Sequence, residues 1–288
     1  MNYWAEIQSI FNNREIALLL WLIVIVLAVL LSKLRKSFVT IFQILTRRIF
    51  LIIFSLIGAY LFGIIILFKN LDVWQISNLK DVIFWLFTVG FILVFKINDA
   101  NSNAYFKSIF LSAIKWTIVL EFVVNLYNFS LFTEIIILPI LVLLILTQTF
   151  AEMYEEHKVV STFLQNFIAI VGLSIFSYSL YKTIVNFEDV LTFQNLVSFL
   201  LPSAITILFI PFVYFLALYS TYDSYFIHLG IMTIKKVEVK EVKKLIFKTA
   251  NFNLEKLLRI KKNFEKRVLY ENIDLKEYIH SISKKPKN

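Results

Sequence analysis

The sequence of 288 residues contains no cysteine, five glycines and four prolines. The absence of cysteine excludes disulfides, thiolate nucleophiles and cysteine-ligated metal sites. The scarcity of glycine argues against a transporter built on broken membrane helices, which usually need more of it. The sequence also lacks a phosphate-cradling glycine loop, a nucleophile elbow, a metalloprotease helix and a nucleotide-binding signature. We therefore expect no enzymatic activity, no cofactor and no metal site.

Apolar residues are abundant: they make up 59% of the chain, and the mean hydropathy is +0.77. Soluble domains hold about 45–50% apolar residues. The excess lies in long uncharged runs, and about 20 such residues cross the hydrocarbon core of a bilayer as one helix. The pattern predicts an all-α, polytopic integral membrane protein with about seven transmembrane helices; because the third is short, six or eight are alternatives. The expected spans are residues 16–32, 49–68, 82–95, 108–128, 133–150, 163–181 and 196–222.

Charge is distributed unevenly along the chain. Residues 1–234 carry 13 basic and 13 acidic side chains, whereas residues 235–288 carry 16 basic and 7 acidic ones, a net charge of +9. Apolar residues at helical spacing in the second segment predict three amphipathic helices, the second and third capped by Asn253 and Asp274. We predict a transmembrane domain over 1–234 and a small basic, cytosolic, helical tail over 235–288. About 54 residues bury little apolar surface alone, so we expect the tail to pack on the membrane domain or on its copies in other subunits.

Lysine and arginine concentrate in alternate loops, which sets the expected orientation because cytoplasmic loops carry the excess of positive charge. With seven spans, we expect the N-terminus outside and the C-terminus in the cytoplasm. Lysine outnumbers arginine 23 to 6, and Ile, Phe and Asn are abundant, which indicates an AT-rich bacterial genome. We therefore predict a multi-pass protein of the bacterial inner (cytoplasmic) membrane. The basic residues of the expected inside loops are Lys33, Arg35, Lys36, Arg47, Arg48, Lys96, Lys107 and Lys158.

Two motifs indicate contact with lipid and with other helices. The linker over 33–48 holds five basic residues and no acid, and its apolar residues recur every three or four positions, which predicts an amphipathic helix at the membrane surface. Its basic residues are Lys33, Arg35, Lys36, Arg47 and Arg48. In the second span, Ser55, Ala59 and Gly63 repeat at four-residue spacing, which allows close helix–helix approach in lipid.

The fourth span contains ionisable residues in an apolar run. Lys115 lies near its cytoplasmic end, where the side chain reaches toward water or pairs with a carboxylate on a neighbouring helix. A polar stripe at helical spacing is formed by Thr117, Glu121, Asn125 and Asn128. Because an ionised group facing lipid is costly, this stripe is expected to face protein or water. It predicts a buried hydrogen-bond network, a water-filled path in which Glu121 attracts cations, or a proton relay.

A second polar stripe follows the sixth span. It comprises Asn166, Ser174, Ser177, Tyr178 and Tyr181. Interhelical hydrogen bonding is the first interpretation of such a stripe. The wall of a pore or cavity is the alternative.

These features favour an oligomeric membrane channel or pore-type effector that is controlled through its cytosolic tail. In architecture alone the chain is similar to small membrane effectors of bacterial antiviral defence systems, in which a cytosolic partner controls a membrane-permeabilising subunit. The alternatives are a secondary transporter that is proton-coupled through Glu121, and a non-conducting scaffold that anchors a cytosolic complex. Expected partners are the lipid bilayer, further copies of the chain and a cytosolic protein that binds residues 235–288. The basic tail also suits anionic lipid or nucleic acid, although no nucleic-acid motif accompanies the charge.

Overall fold

The computed structural model describes residue 8 and residues 10–100, 102–115, 128–186, 192–232, 236–265 and 274–284. In these ranges the chain is built from helices and short turns, and no strand occurs among them. The helices are α1 (Asn13–Leu31), α2 (Arg35–Leu45), α3 (Arg48–Asn70), α4 (Asn78–Phe95), α5 (Asn103–Ala113), α6 (Leu131–Glu152), α7 (Lys158–Val185), α8 (Phe193–Met232), α9 (Lys236–Ala250), α10 (Leu254–Asn263) and α11 (Leu275–Lys284).

Six of the helical segments are long and apolar enough to cross a membrane, and they correspond to six of the seven expected spans. Few of their side chains are buried within the protein, since the buried share of each apolar window is at most 28%. A helix that is apolar all round is suited to lipid. These helices support an all-helical membrane protein. The six candidate spans are Asn13–Leu31, Arg48–Asn70, Asn78–Phe95, Leu131–Glu152, Glu155–Val185 and Phe193–Ile231.

The expected fourth span differs from the structure at its start. Helix α5 ends at Ala113, where the backbone N–H groups of Ile114 and Lys115 turn to the carbonyls three residues back. That tightening is typical of a last helical turn. Lys115 therefore lies just beyond the helix and not within it, and residues 116–127 lie outside the described residues. A seventh span stays a prediction.

The linker between the first two spans forms the expected amphipathic helix. It runs from Arg35 to Leu45 and contains no buried residue. Its basic residues are all exposed, as are the large apolar side chains of Leu34, Phe38 and Ile41. None of the described residues buries the apolar face of this helix.

Contacts divide the chain into two compact units, and the division does not follow the expected boundary at 234/235. The first unit comprises Met1–Ser77 and Trp116–Phe199; in it α6 packs against both α1 and α7. The second comprises Asn78–Lys115 and Leu200–Asn288. The basic tail thus shares a unit with α4, α5 and most of α8.

Helix α8 is much longer than the span expected over 196–222. Its 40 residues extend for about 60 Å, twice the thickness of a hydrocarbon core. The helix continues past Tyr222 because Leu218, Tyr222, Tyr225 and Leu229, which recur every three or four residues, are buried. The same helix therefore serves as an apolar span and as a core element of the tail.

A tryptophan fixes α4 beside α8 within the second unit. The Trp85 indole N–H donates to Thr206 Oγ1 over 2.8 Å, and its ring meets Phe209 edge-on at 5.1 Å between centroids. A π-helical turn over Leu86–Gly90 follows directly. A Cβ on Gly90 would lie 3.1 Å from the Trp85 ring, so this position favours glycine.

Candidate functional sites

Two tyrosines of α8 bind the turn that connects α9 to α10, residues Ala250–Asn253, here named the tail turn. The Tyr222 hydroxyl donates to the Asn251 carbonyl over 2.8 Å. The Tyr214 hydroxyl donates to the Phe252 carbonyl over 2.7 Å and accepts from the Leu254 N–H over 3.2 Å. Because the tyrosines are eight residues apart, they project from one face of the helix.

The backbone carbonyls of the tail turn all accept hydrogen bonds. Asn251 adopts the left-handed conformation, with φ of 48°, in which helices commonly end. The carbonyls of Ala250 and Asn253 accept from backbone N–H groups, and the other two accept from the tyrosines. The Asn253 side chain caps α10 by accepting from the Lys256 N–H over 2.9 Å, as predicted. All four carbonyls of the turn therefore have donors.

Beneath the tail turn, the three tail helices form a closely packed apolar core. Its members are at most 1% exposed, in contrast to the outward-facing side chains of the spans. Tyr278 of α11 fastens the far end of α10 by donating to the Asn263 carbonyl. The tail helices thus pack on one another as well as on α8. The core residues are Val242, Ile246, Ala250, Leu254, Leu257, Ile260, Ile279 and Ile282.

Helix α5 packs beside the tail turn and contacts both α8 and α10. The Phe106 ring meets the Tyr214 ring at 5.2 Å between centroids, and the Asn103 N–H donates to Glu255 Oε1 over 3.2 Å. Burial, and secondarily the nearby Asp99 carboxylate, raises the pKa of Tyr105 above its usual value. The start of α5 is thereby bound to both α8 and α10.

In the first unit, a buried ion pair joins the beginnings of α1 and α6. Glu134 is 2% exposed, and its two carboxylate oxygens each accept from the Arg14 guanidinium over 3.3 Å. Glu134 Oε1 also accepts from the Phe129 N–H over 3.1 Å. A carboxylate in the first turn of a helix is favoured by the helix dipole. This forked geometry suits an arginine–carboxylate pair removed from water.

Further contacts show that α1 and α6 run side by side in the same direction. Asn13 Nδ2 donates to the Phe129 carbonyl over 2.9 Å, and the Trp21 indole N–H donates to the Ile135 carbonyl over 2.9 Å. The contacts follow the same order along both helices. Sequence reasoning missed Glu134. The available signal was an acid four residues after the capping Ser130, whereas its partner Arg14 lies 120 residues away.

Most of the expected stripe in the fourth span lies outside the described residues. Thr117, Glu121 and Asn125 lie outside the described residues, whereas Asn128 has a buried amide oxygen and lies just before α6. Lys115 is exposed.

The other expected motifs lie on the outside of the chain. Ser55, Ala59 and Gly63 are exposed, and nothing lies within 4 Å of a Cβ built on Gly63. The buried face of α3 is the opposite one, formed by Ile57, Leu61, Ile64 and Phe68. The polar stripe on α7 is exposed at every position: Asn166, Ser174, Ser177, Tyr178 and Tyr181.

Among the residues that the structure describes, no group of three or more His, Asp or Glu side chains is arranged to hold a metal ion. The sites above therefore consist of hydrogen bonds, one buried ion pair and exposed polar or aromatic faces. Comparison of the chain with known protein families, with curated proteins and with solved structures finds no match.

Proposed function

We propose that the chain forms an oligomeric membrane channel, or pore-type effector, whose conducting state is set through its C-terminal tail. The observation that carries the proposal is the exposed polar face of α7, which is one of the candidate spans. An amide such as that of Asn166 requires hydrogen-bond partners inside a bilayer. Lipid supplies none, so assembly of several copies around this face, with or without enclosed water, is favoured.

The direction of α1 and α6 supports a crossing by the segment that holds Glu121. Two helices that run the same way through a membrane need an odd number of crossings between them. Only two candidate spans, Arg48–Asn70 and Asn78–Phe95, lie between them among the described residues. A third crossing within residues 103–130 completes the count, which favours seven spans and brings the Glu121 stripe into the membrane.

Control through the tail is supported by α8, which continues from its apolar part into the tail core as one helix. Tyr214 and Tyr222 fasten the tail turn to that helix. A displacement of the tail by a cytosolic protein therefore acts on a continuous helix that also forms a candidate span. In this proposal the tail lies in the cytoplasm and the N-terminus outside.

Ion conductance of the purified chain in liposomes tests the proposal. We expect a current that Glu121→Gln reduces at least about tenfold, which corresponds to about 1.4 kcal/mol in the barrier to permeation. Glu155→Gln is the matched control: Glu155 is 93% exposed in the turn before α7, and we expect its removal to leave the current unchanged. No current from correctly folded protein contradicts the channel.

The two alternative functions give different results in the same liposomes. Solute accumulation that requires a proton gradient and is lost in Glu121→Gln indicates a secondary transporter. Neither current nor accumulation, with a partner that co-purifies only while residues 235–288 are present, indicates a scaffold. Overproduction in bacteria adds a cellular measurement, because an uncontrolled pore collapses the membrane potential.

A further inference from the structure

The tail turn presents an aromatic surface to the surroundings of the protein. Phe252, at the tip of the turn, is 63% exposed, and its ring meets that of Phe215 edge-on at 6.2 Å between centroids. Phe247 is 52% exposed and packs against the Tyr222 ring at 5.4 Å. Two large, exposed aromatic side chains beside one turn indicate that an apolar phase or partner covers this surface.

Helix α8 determines the depth at which this turn lies. Its first acidic or basic side chain is that of Asp223, nine residues after Tyr214, which is about 13 Å along the helix axis. Counted from Phe193, a hydrocarbon core of about 20 residues ends near Phe212. Tyr214 binds the Phe252 carbonyl directly, so Phe252 lies at the level of the bilayer surface.

The hydrogen bonding of the tail turn is suited to a location at the bilayer surface. Irregular backbone is excluded from lipid because unpaired N–H and carbonyl groups cost several kcal/mol there. In the tail turn every carbonyl from Ala250 to Asn253 has a donor inside the protein. A turn that faces only water does not need two tyrosine hydroxyls directed at its carbonyls.

Basic residues flank the aromatic tip on both sides. Lys248 lies four residues before Phe252 and Lys256 lies four residues after it, and both are exposed. Aromatic rings at headgroup depth beside lysines are typical of protein segments at an anionic membrane surface. The chemistry of the turn is therefore complementary to lipid headgroups and the upper part of the acyl chains.

We infer that the tail turn is a membrane-surface anchor, with Phe252 and Phe247 inserted at the boundary of the hydrocarbon core and Lys248 and Lys256 among anionic phosphates. The anchor holds the tail against the bilayer beside α8. This inference requires only that α8 crosses the membrane, and it is independent of whether the protein conducts ions.

The chain has no cysteine, so a single introduced thiol carries one nitroxide label without further changes. We expect a label on Phe252→Cys, in the full chain in vesicles, to collide readily with oxygen and poorly with a water-soluble nickel chelate. Ser281→Cys, exposed on α11, is the control and should show the opposite preference. Collision with nickel at position 252 equal to that at 281 overturns the inference, and exclusion of both reagents also overturns it by indicating a protein partner or a second copy.

A second variant tests whether the collision preference measured at position 252 depends on removal of the Phe252 ring. Phe247→Cys leaves Phe252 in place, and its label should show the same preference for oxygen. Both measurements are made in vesicles of phosphatidylcholine alone and with added phosphatidylglycerol. We expect the anionic lipid to increase the oxygen preference several-fold at position 252; an unchanged preference overturns the proposed contact of Lys248 and Lys256 with phosphates.

Discussion

Glu134 is buried at the start of an apolar helix because Arg14 and the Phe129 N–H both bind its carboxylate. An ionised side chain removed from water costs several kcal/mol, and this cost is offset only when its partners remain in place. Arg14 is itself only 18% exposed. The pair therefore makes the side-by-side arrangement of α1 and α6 sensitive to the loss of either residue.

We expect Glu134→Gln to destabilise the protein by about 3 kcal/mol, because it leaves the arginine charge buried without its counter-ion. The measurement is thermal unfolding of the detergent-solubilised chain. Glu155→Gln makes the same chemical change in a 3.9 Å surface pair with Lys158 and should cost under about 1 kcal/mol. Equal unfolding temperatures for the two variants would show that the Arg14–Glu134 contact adds little.

At the level of single elements, α7 is a largely exposed helix with a polar face. Ser161 and Ser179 are buried, whereas the face that includes Asn166 and Ser174 is exposed. Ser174 donates to the Ile170 carbonyl of its own helix over 2.8 Å, which lowers the cost of placing a hydroxyl in a membrane. Two positions that are two residues apart lie at nearly the same depth in the membrane but on opposite sides of this helix. Such a pair can therefore distinguish the two sides.

We expect Ser174→Cys to react with a water-soluble methanethiosulfonate reagent and to lose current on modification. The thiol reacts as thiolate, which forms in water and not in lipid. Gly172→Cys is the control, because residues 172 and 174 lie about 160° apart around the helix and a Cβ at Gly172 meets no other atom within 4 Å. Unreactive thiols at both positions would contradict a water-filled path along the α7 face.

At the level of the whole molecule, the parallel pair of α1 and α6 constrains the topology more strongly than hydropathy does. Hydropathy alone leaves six, seven or eight spans open, because a short apolar run and a run with two charges are both ambiguous. Contacts between residues more than 100 positions apart fix the relative direction of two helices. For two helices that both cross a membrane, a shared direction requires an odd number of crossings between Leu31 and Leu131.

We therefore expect Asn98 and Phe132 to lie on opposite sides of the membrane. Both side chains are exposed, and in the cysteine-free chain each cysteine variant carries one thiol. A membrane-impermeant maleimide should label Phe132→Cys in intact cells and Asn98→Cys only after permeabilisation. Labelling of both from the same side would contradict a crossing by the Glu121 segment.

The sequence by itself was sufficient for the membrane class, the positions of six apolar helices, the amphipathic helix over 35–45 and the caps of the tail helices. These properties depend on neighbours a few residues apart: composition over about 20 residues decides lipid solubility, and caps depend on groups within one turn. The Asn253 cap and the exposed apolar face of α2 are examples. Local patterns of this kind are present in the printed sequence.

Only the tertiary structure decided where α8 ends, which residues hold the tail, and which acid is buried. Tyr214 and Tyr222 resemble interfacial tyrosines in the sequence, and their role depends on a turn 29 to 38 residues further along the chain. Glu134 resembles a solvated acid at a helix start until Arg14, 120 residues earlier, is placed beside it. Pairings at such separations depend on how helices pack, and no local pattern encodes them.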